Sequence, residues 1–238
     1  MPSFDTIRAR AAERKGGEAI LATLLPKMLP PAELAKIPDD RMLAEMTKRI
    51  FSSGFVWSVI EKKWPSFEEA FLGFEPKRLL FQPDDYWGAL TGDSRIVRHP
   101  QKIMSVRTNA QFITDIAAEH GSFAKFLAGW PPQNQIGLMD LLAKRGARLG
   151  RHSGLYFLRF TGKDAFMLSR DVVACLRDAG VEIAEAPSSK KDLARIQAQF
   201  NDWAEETGLP YTHLSRICAM SIGENYPVER LQHYMGDE

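Results

Sequence analysis

The chain has 238 residues, with 31 lysines and arginines against 30 aspartates and glutamates and a net charge of +1. Hydrophobic residues make up 45% and charged residues 26%, the balance of an ordinary soluble globule, long enough for one sizeable domain or two small lobes sharing a cleft. The near-neutral balance demands no polyanionic partner, so a nucleic-acid binder of this composition must gather its bases on one face.

No apolar run reaches membrane-spanning length, and the polar opening Met-Pro-Ser-Phe-Asp predicts no secretory signal. Cys175 and Cys218 make neither a disulfide framework nor a metal quartet. A reducing, cytoplasmic setting without membrane, metal or cofactor is expected.

Helical periodicity runs nearly throughout, and all-α is the expected class. Residues from about Phe4 to Leu25 read as helical with a soft spot at Gly16-Gly17, and Pro26 to Pro38 as a proline-broken connector. Asp39-Asp40 is expected to cap a helix running to about Phe51. Ser52 or Ser53 can cap the next, after a joint freed by Gly54. In that helix Val56, Ile60 and Trp64 recur at helical spacing, and Trp64-Pro65 is expected to end it, with a fresh start at Ser66. Pro83-Asp84-Asp85 opens another. His99-Pro100 precedes a long helix to His120 with Ile103, Val106, Ala110, Ile113 and Ala117 inward. Ile136–Lys144 and Arg151–Phe160 flank the short link Gly146 to Gly150. Helices from Arg170 to Ala179, Asp192 to Thr207 and His213 to Ile222 complete the chain, and Ala186 to Lys191 reads as a linker.

Two segments invite chemistry. Trp57, one position off the apolar stripe and beside the glycine joint, suits holding a flat ligand or simply filling core. The start Gly150-Arg151-His152-Ser153, with Arg145 and Arg148 nearby, offers backbone N–H groups and positive charge to a phosphate, or is a solvated helical corner. Arg98 and Lys102 are expected to share a helical face that tracks a backbone or faces water.

Together these segments resemble the DNA-3-methyladenine glycosylase I family of the helix-hairpin-helix superfamily, from about Asp40 to Cys175. The likeness rests on Ser53-Gly54-Phe55-Val56-Trp57 with Lys62-Lys63, Phe67, Ala70-Phe71, Phe74 and Pro76. Arg95 to His99 with Lys102-Ile103 and Asn109 extend it, as does Lys144-Arg145-Gly146 leading to Gly150. The resemblance implies a two-lobed helical bundle that flips a damaged base from duplex DNA and hydrolyses its N-glycosidic bond. Trp57 falls where the family stacks the base, with Arg49 and Ser53 beside it. Phe55 falls where the family fills the vacated stack. Gly54, Gly146, Gly150, Arg151, His152, Ser153, Arg98 and Lys102 would meet the DNA.

The departures are specific. The family's pocket carboxylate stands eight positions before its stacking tryptophan, and an ungapped alignment on Trp57 puts Arg49 there. A cation there repels a positively charged methylated purine. Glu45, one turn back, is expected to pair with Arg49. The family's N-terminal aromatics and first zinc ligands have no counterpart, and Asp171 and Cys175 stand where it has histidine and cysteine, so no zinc is expected. Asp171 also lies about where other superfamily branches keep a catalytic aspartate, or it is a first-turn carboxylate opposing a helix dipole.

Three regions are expected: residues 1–39, a helical segment replacing the zinc region; 40–185, the glycosylase-like core with its hairpin near 136–160; and 186–238, C-terminal helices packing on that core. The expected function is excision of an alkylated or otherwise damaged purine, 3-methyladenine-like, from double-stranded DNA by a monomer. A binding module for distorted DNA that has lost the chemistry is the alternative. A helical protein whose cleft serves a small molecule or protein is a third.

Overall fold

Proline, serine and glycine punctuate the chain where the helices begin and end. The structure, a computed structural model, describes residues 3–236, and the side chains of these apart from residues 151 and 233–236. In chain order the helices are α1 (Phe4–Lys15), α2 (Glu18–Thr23), α3 (Pro31–Leu34), α4 (Asp39–Ser52), α5 (Trp57–Ala70), α6 (Pro76–Leu80), α7 (Asp84–Leu90) and α8 (Pro100–His120). They continue as α9 (Phe123–Gly129), α10 (Gln135–Arg145), α11 (Arg151–Phe160), α12 (Arg170–Asp178), α13 (Lys190–Thr207), α14 (Tyr211–Ser221) and α15 (Val228–Gly236). Among the described residues there is no strand, so the fold is all-α. No described helix is long and apolar enough to cross a membrane.

The chain divides into two compact units. One comprises Met1–Met28, Pro131–Ile136 and Asp164–Glu238; the other comprises Leu29–Trp130 and Gly137–Lys163. The two ends of the chain, which the linker reading treats as separate regions, therefore fold together. In this first unit α1 and α12 pack on α14. Its core stacks Phe166 on Phe200 with ring centres 4.4 Å apart, and Trp203 meets Phe200 edge-on at 5.5 Å. Cys175 and Cys218 are buried free thiols here.

The second unit is arranged around α4, which packs on α8 and α11. Met42, Leu43, Met46, Ile50 and Phe51 give α4 its buried stripe. Pro38 occupies the N-cap position expected of Asp39-Asp40, and the Asp39 carboxylate instead accepts from the Phe123 N–H at 2.8 Å, helping to start α9.

α5 does not stop at Pro65. It continues to Ala70, and Pro65 is exposed, so the hydrogen bond that proline removes faces water. What holds the continued helix is aromatic: Trp64 stacks on Phe67 and Phe74, each at 5.4 Å, and Phe71 stacks on Phe74 at the same distance. Neither Ser52 nor Ser53 caps α5; Val56 stands at its N-cap without a side-chain bond and is exposed rather than inward. In α8, Ile116 is buried where Ala117 was expected, while Ile103, Val106, Ala110 and Ile113 are inward. The short α3, α6 and α9, and α15 beyond Ile222, are additions to the sequence-based set.

Candidate nucleic-acid interface

Between α4 and α5 the chain turns through Ser53, Gly54, Phe55 and Val56. Gly54 has φ +79°, the left-handed region that costs a side-chain-bearing residue energy. Lys102, in the first turn of α8, braces this turn from below. Its ammonium donates to the Phe51 carbonyl at 3.2 Å and to the Ser53 carbonyl at 2.5 Å, oxygens that a helix end leaves without an internal partner. The same ammonium lies 4.7 Å from the Phe55 ring centre. Burial, and then the charge of Arg148, push the Lys102 pKa down. Lys102 is thus neither a wet surface residue nor one tracking a phosphate backbone. Arg98 is exposed and precedes α8, so the two share no helical face.

Trp57 opens α5 and remains 39% exposed. Its ring centre is 5.5 Å from those of Tyr156 and Phe160 on α11, met at steep angles that leave the indole unstacked by either. Arg49, buried near the end of α4, lays its guanidinium over Phe160 at 3.7 Å and over Trp57 at 5.0 Å. Its Nε lies 2.6 Å from Oε1 of Glu45, the pairing read from the sequence. Burial raises the Glu45 carboxyl above its ordinary range, against the pull of Arg49 and Lys48.

The hairpin between α10 and α11 is shaped by close approach. A Cβ on Gly146 would stand 2.6 Å from Cδ1 of Leu149 and 2.8 Å from the Leu142 carbonyl oxygen. Arg148 takes φ +60°. Asn109, fully buried on α8, bonds Ala147 through both atoms of its amide. Gly150 has an ordinary φ of −67° and open space around it; as N-cap of α11 it offers no side chain to the first-turn N–H groups.

These parts converge on one pocket of about 250 Å³, lined by Arg49, Ser52, Ser53, Gly54, Phe55, Trp57, His152, Ser153 and Tyr156. Trp57 and the start of the helix after the hairpin therefore border the same space. Arg148 extends from the hairpin to Gln101 at 3.3 Å, which brings the hairpin beside the segment carrying Arg98. Arg145 turns elsewhere, over Phe112 and toward Glu119. The side chain of Arg151 lies outside the described ones.

Asp171 belongs to the other unit. It sits in the first turn of α12, where Ser169 caps by accepting from the Val172 N–H at 3.3 Å. Its carboxylate crowds Gly223, at which a Cβ would approach Oδ1 to 2.5 Å. The pocket it lines, of about 330 Å³, includes Lys15, Arg216, Tyr226 and Arg230 and none of the residues around Trp57. Among the described residues no group of three histidines, cysteines or acids is placed to hold a metal ion.

Tyr156 and Phe160 were not singled out from the sequence. Their signal was their spacing, four apart on the helix that follows the hairpin, where one face must meet α4.

Residues 35–140 match the methyladenine glycosylase family. That segment overlaps the stretch from Asp40 onward on which the resemblance was drawn, and it ends before the hairpin and Asp171. Among solved structures, 3-methyladenine DNA glycosylase I from Staphylococcus aureus is 23% identical, with 58% of this chain and 80% of that chain covered and a TM-score of 0.48. A glutamate-to-glutamine mutant of the enzyme from the same organism is 21% identical, covering 61% and 87%, with a TM-score of 0.48. A tyrosine-to-phenylalanine variant of a 3-methyladenine DNA glycosylase I, in complex with 3-methyladenine, is 24% identical, covering 53% and 80%, with a TM-score of 0.46. No curated protein matches the chain.

Proposed function

Taking residues 35–140 as a methyladenine glycosylase segment, we propose that this protein is a DNA glycosylase that extrudes a damaged purine from duplex DNA and hydrolyses its N-glycosidic bond. The observation that carries this is the single pocket bordered by Trp57 and by His152 and Ser153. The exposed face of Trp57 receives the base, with Ser53 and Arg49 at its rim. Phe55, 40% exposed beside the glycine joint, enters the space the base leaves. The N–H groups from Gly150 to Ser153 take a phosphate, and Arg98 and Arg148 add charge along the strand. The protein acts as a monomer.

No aspartate or glutamate lines this pocket. Much of the rate then comes from extrusion, snug binding and exclusion of bulk water rather than from a carboxylate base. Asp171 keeps the sugar-stabilising role only if Asp171→Asn abolishes base release while duplex binding persists. The decisive assay is base release from duplexes carrying methylated, deaminated or oxidised purines by wild type and Trp57→Ala; undiminished release by the variant removes the site.

That same lack of a lining acid, with Arg49 in its place, favours one second reading: recognition of distorted DNA without hydrolysis. Salt-dependent binding to an abasic duplex, weakened by Arg148→Ala and unaccompanied by release from any damaged duplex, identifies it.

A further inference from the structure

We propose that the Trp57 pocket selects a neutral damaged base and rejects a cationic one, and that Arg49 is the residue that sets this preference. The inference rests on the reading of the pocket as a base site and narrows its substrate class. Arg49 lies over the Trp57 ring at 5.0 Å and over Phe160 at 3.7 Å, so the negative π-faces of both rings already serve a resident cation. Arg49 itself lines the pocket, so a second cation bound there would face its guanidinium, and Arg49 is buried, so water screens the pair weakly.

Nothing in the lining offsets that repulsion. Of the nine lining residues none is acidic, and Arg49 is among them. Glu45 is held behind Arg49 and does not line the pocket. The polar side chains that line it, Arg49, Ser52, Ser53, His152, Ser153 and Tyr156, can all donate hydrogen bonds, which suits a base presenting carbonyl oxygens and ring nitrogens. Deaminated and oxidised purines have that edge.

The chemistry points the same way. Water bonds to C1′ of the sugar as the C1′–N bond breaks, the bonding pair leaves with the base, and the base takes up the proton that water gives up. A neutral base develops negative charge as it departs, which the Arg49 guanidinium stabilises. A cationic base departs as a neutral molecule and gains nothing from it.

The test compares matched nucleosides, 1-methylinosine (neutral) and 1-methyladenosine (cationic at neutral pH), by quenching of tryptophan fluorescence, with Trp57→Phe as the reference. Wild type is expected to bind the neutral nucleoside about tenfold tighter or more, and Arg49→Gln to bring the two within a factor of about two. Equal or tighter binding of the cation by wild type overturns the inference and leaves the base-site reading intact. Loss of neither ligand's signal in Trp57→Phe overturns both. Neutral preference without release of any base from duplex upholds the inference and removes the hydrolase. The wild-type ratio stands even if Arg49→Gln fails to fold.

Discussion

Asn109 grips Ala147 by both of its backbone groups. Its amide nitrogen donates to the Ala147 carbonyl at 3.1 Å, and its amide oxygen accepts from the Ala147 N–H at 2.7 Å. A buried residue that satisfies two backbone groups of a tight turn fixes that turn's shape.

Asn109→Ala leaves both backbone groups of Ala147 without their partner. The loss is expected to be about 2–4 kcal/mol, two half-buried groups at about 1–2 each, read as a lower urea midpoint at unchanged m-value. Affinity for duplex DNA should fall with it, because the hairpin presents the start of α11.

Gly146 and Gly150 look alike in the sequence and differ in need. Gly146→Ala meets the Leu142 carbonyl and the Leu149 side chain inside ordinary contact distance and is expected to cost about 1–3 kcal/mol. Gly150→Ala meets nothing within 4 Å and keeps its backbone angles, so thermal unfolding should barely move.

Trp57→Ala should separate stability from binding. The half-exposed ring gives the fold little, and its loss should leave the melting temperature within a few degrees. Binding of an extruded base should weaken by about 1–3 kcal/mol, the range for base–aromatic stacking, measured as affinity for a duplex with a displaced base.

Glu45 predicts a pH dependence with a definite sign. Its carboxyl is raised above its ordinary 4.5, first by burial, so the folded state holds the proton more tightly than the unfolded state. The stability this contributes is full below pH 4.5 and is lost as pH rises through the raised value. Urea unfolding followed from pH 4 to 7 should show that decline in wild type and not in Glu45→Gln.

The sequence carried the helical plan well where one face is continuously apolar, as along α8 from Ile103 to Ile113. It was misleading where tertiary contacts override a local signal. Pro65 is a strong stop on its own, yet Trp64, Phe67, Phe71 and Phe74 stack across it and hold the helix together. Lys102 reads as surface by residue type, whereas its long stem carries the charge under a neighbouring helix end. Of the pocket lining, Trp57 and the hairpin stood out in the sequence by their glycines and charge, while Arg49 stood out only through the family alignment on Trp57. Tyr156 and Phe160 did not, since their meaning depends on which helix they face. The joining of residues 1–28 to 164–238 was hidden for the same reason: no local pattern records a partner so distant in the chain.

Lys102 and Asn109 are two turns apart on the same rigid rod, about 10 Å along its axis. One fastens the platform that carries Phe55 and Trp57; the other fastens the hairpin. The gap between platform and hairpin is therefore gauged by the length of a helix rather than by the slack of a loop. Redesign that lengthens or shortens either turn alone would alter edges while leaving the aperture's width untouched.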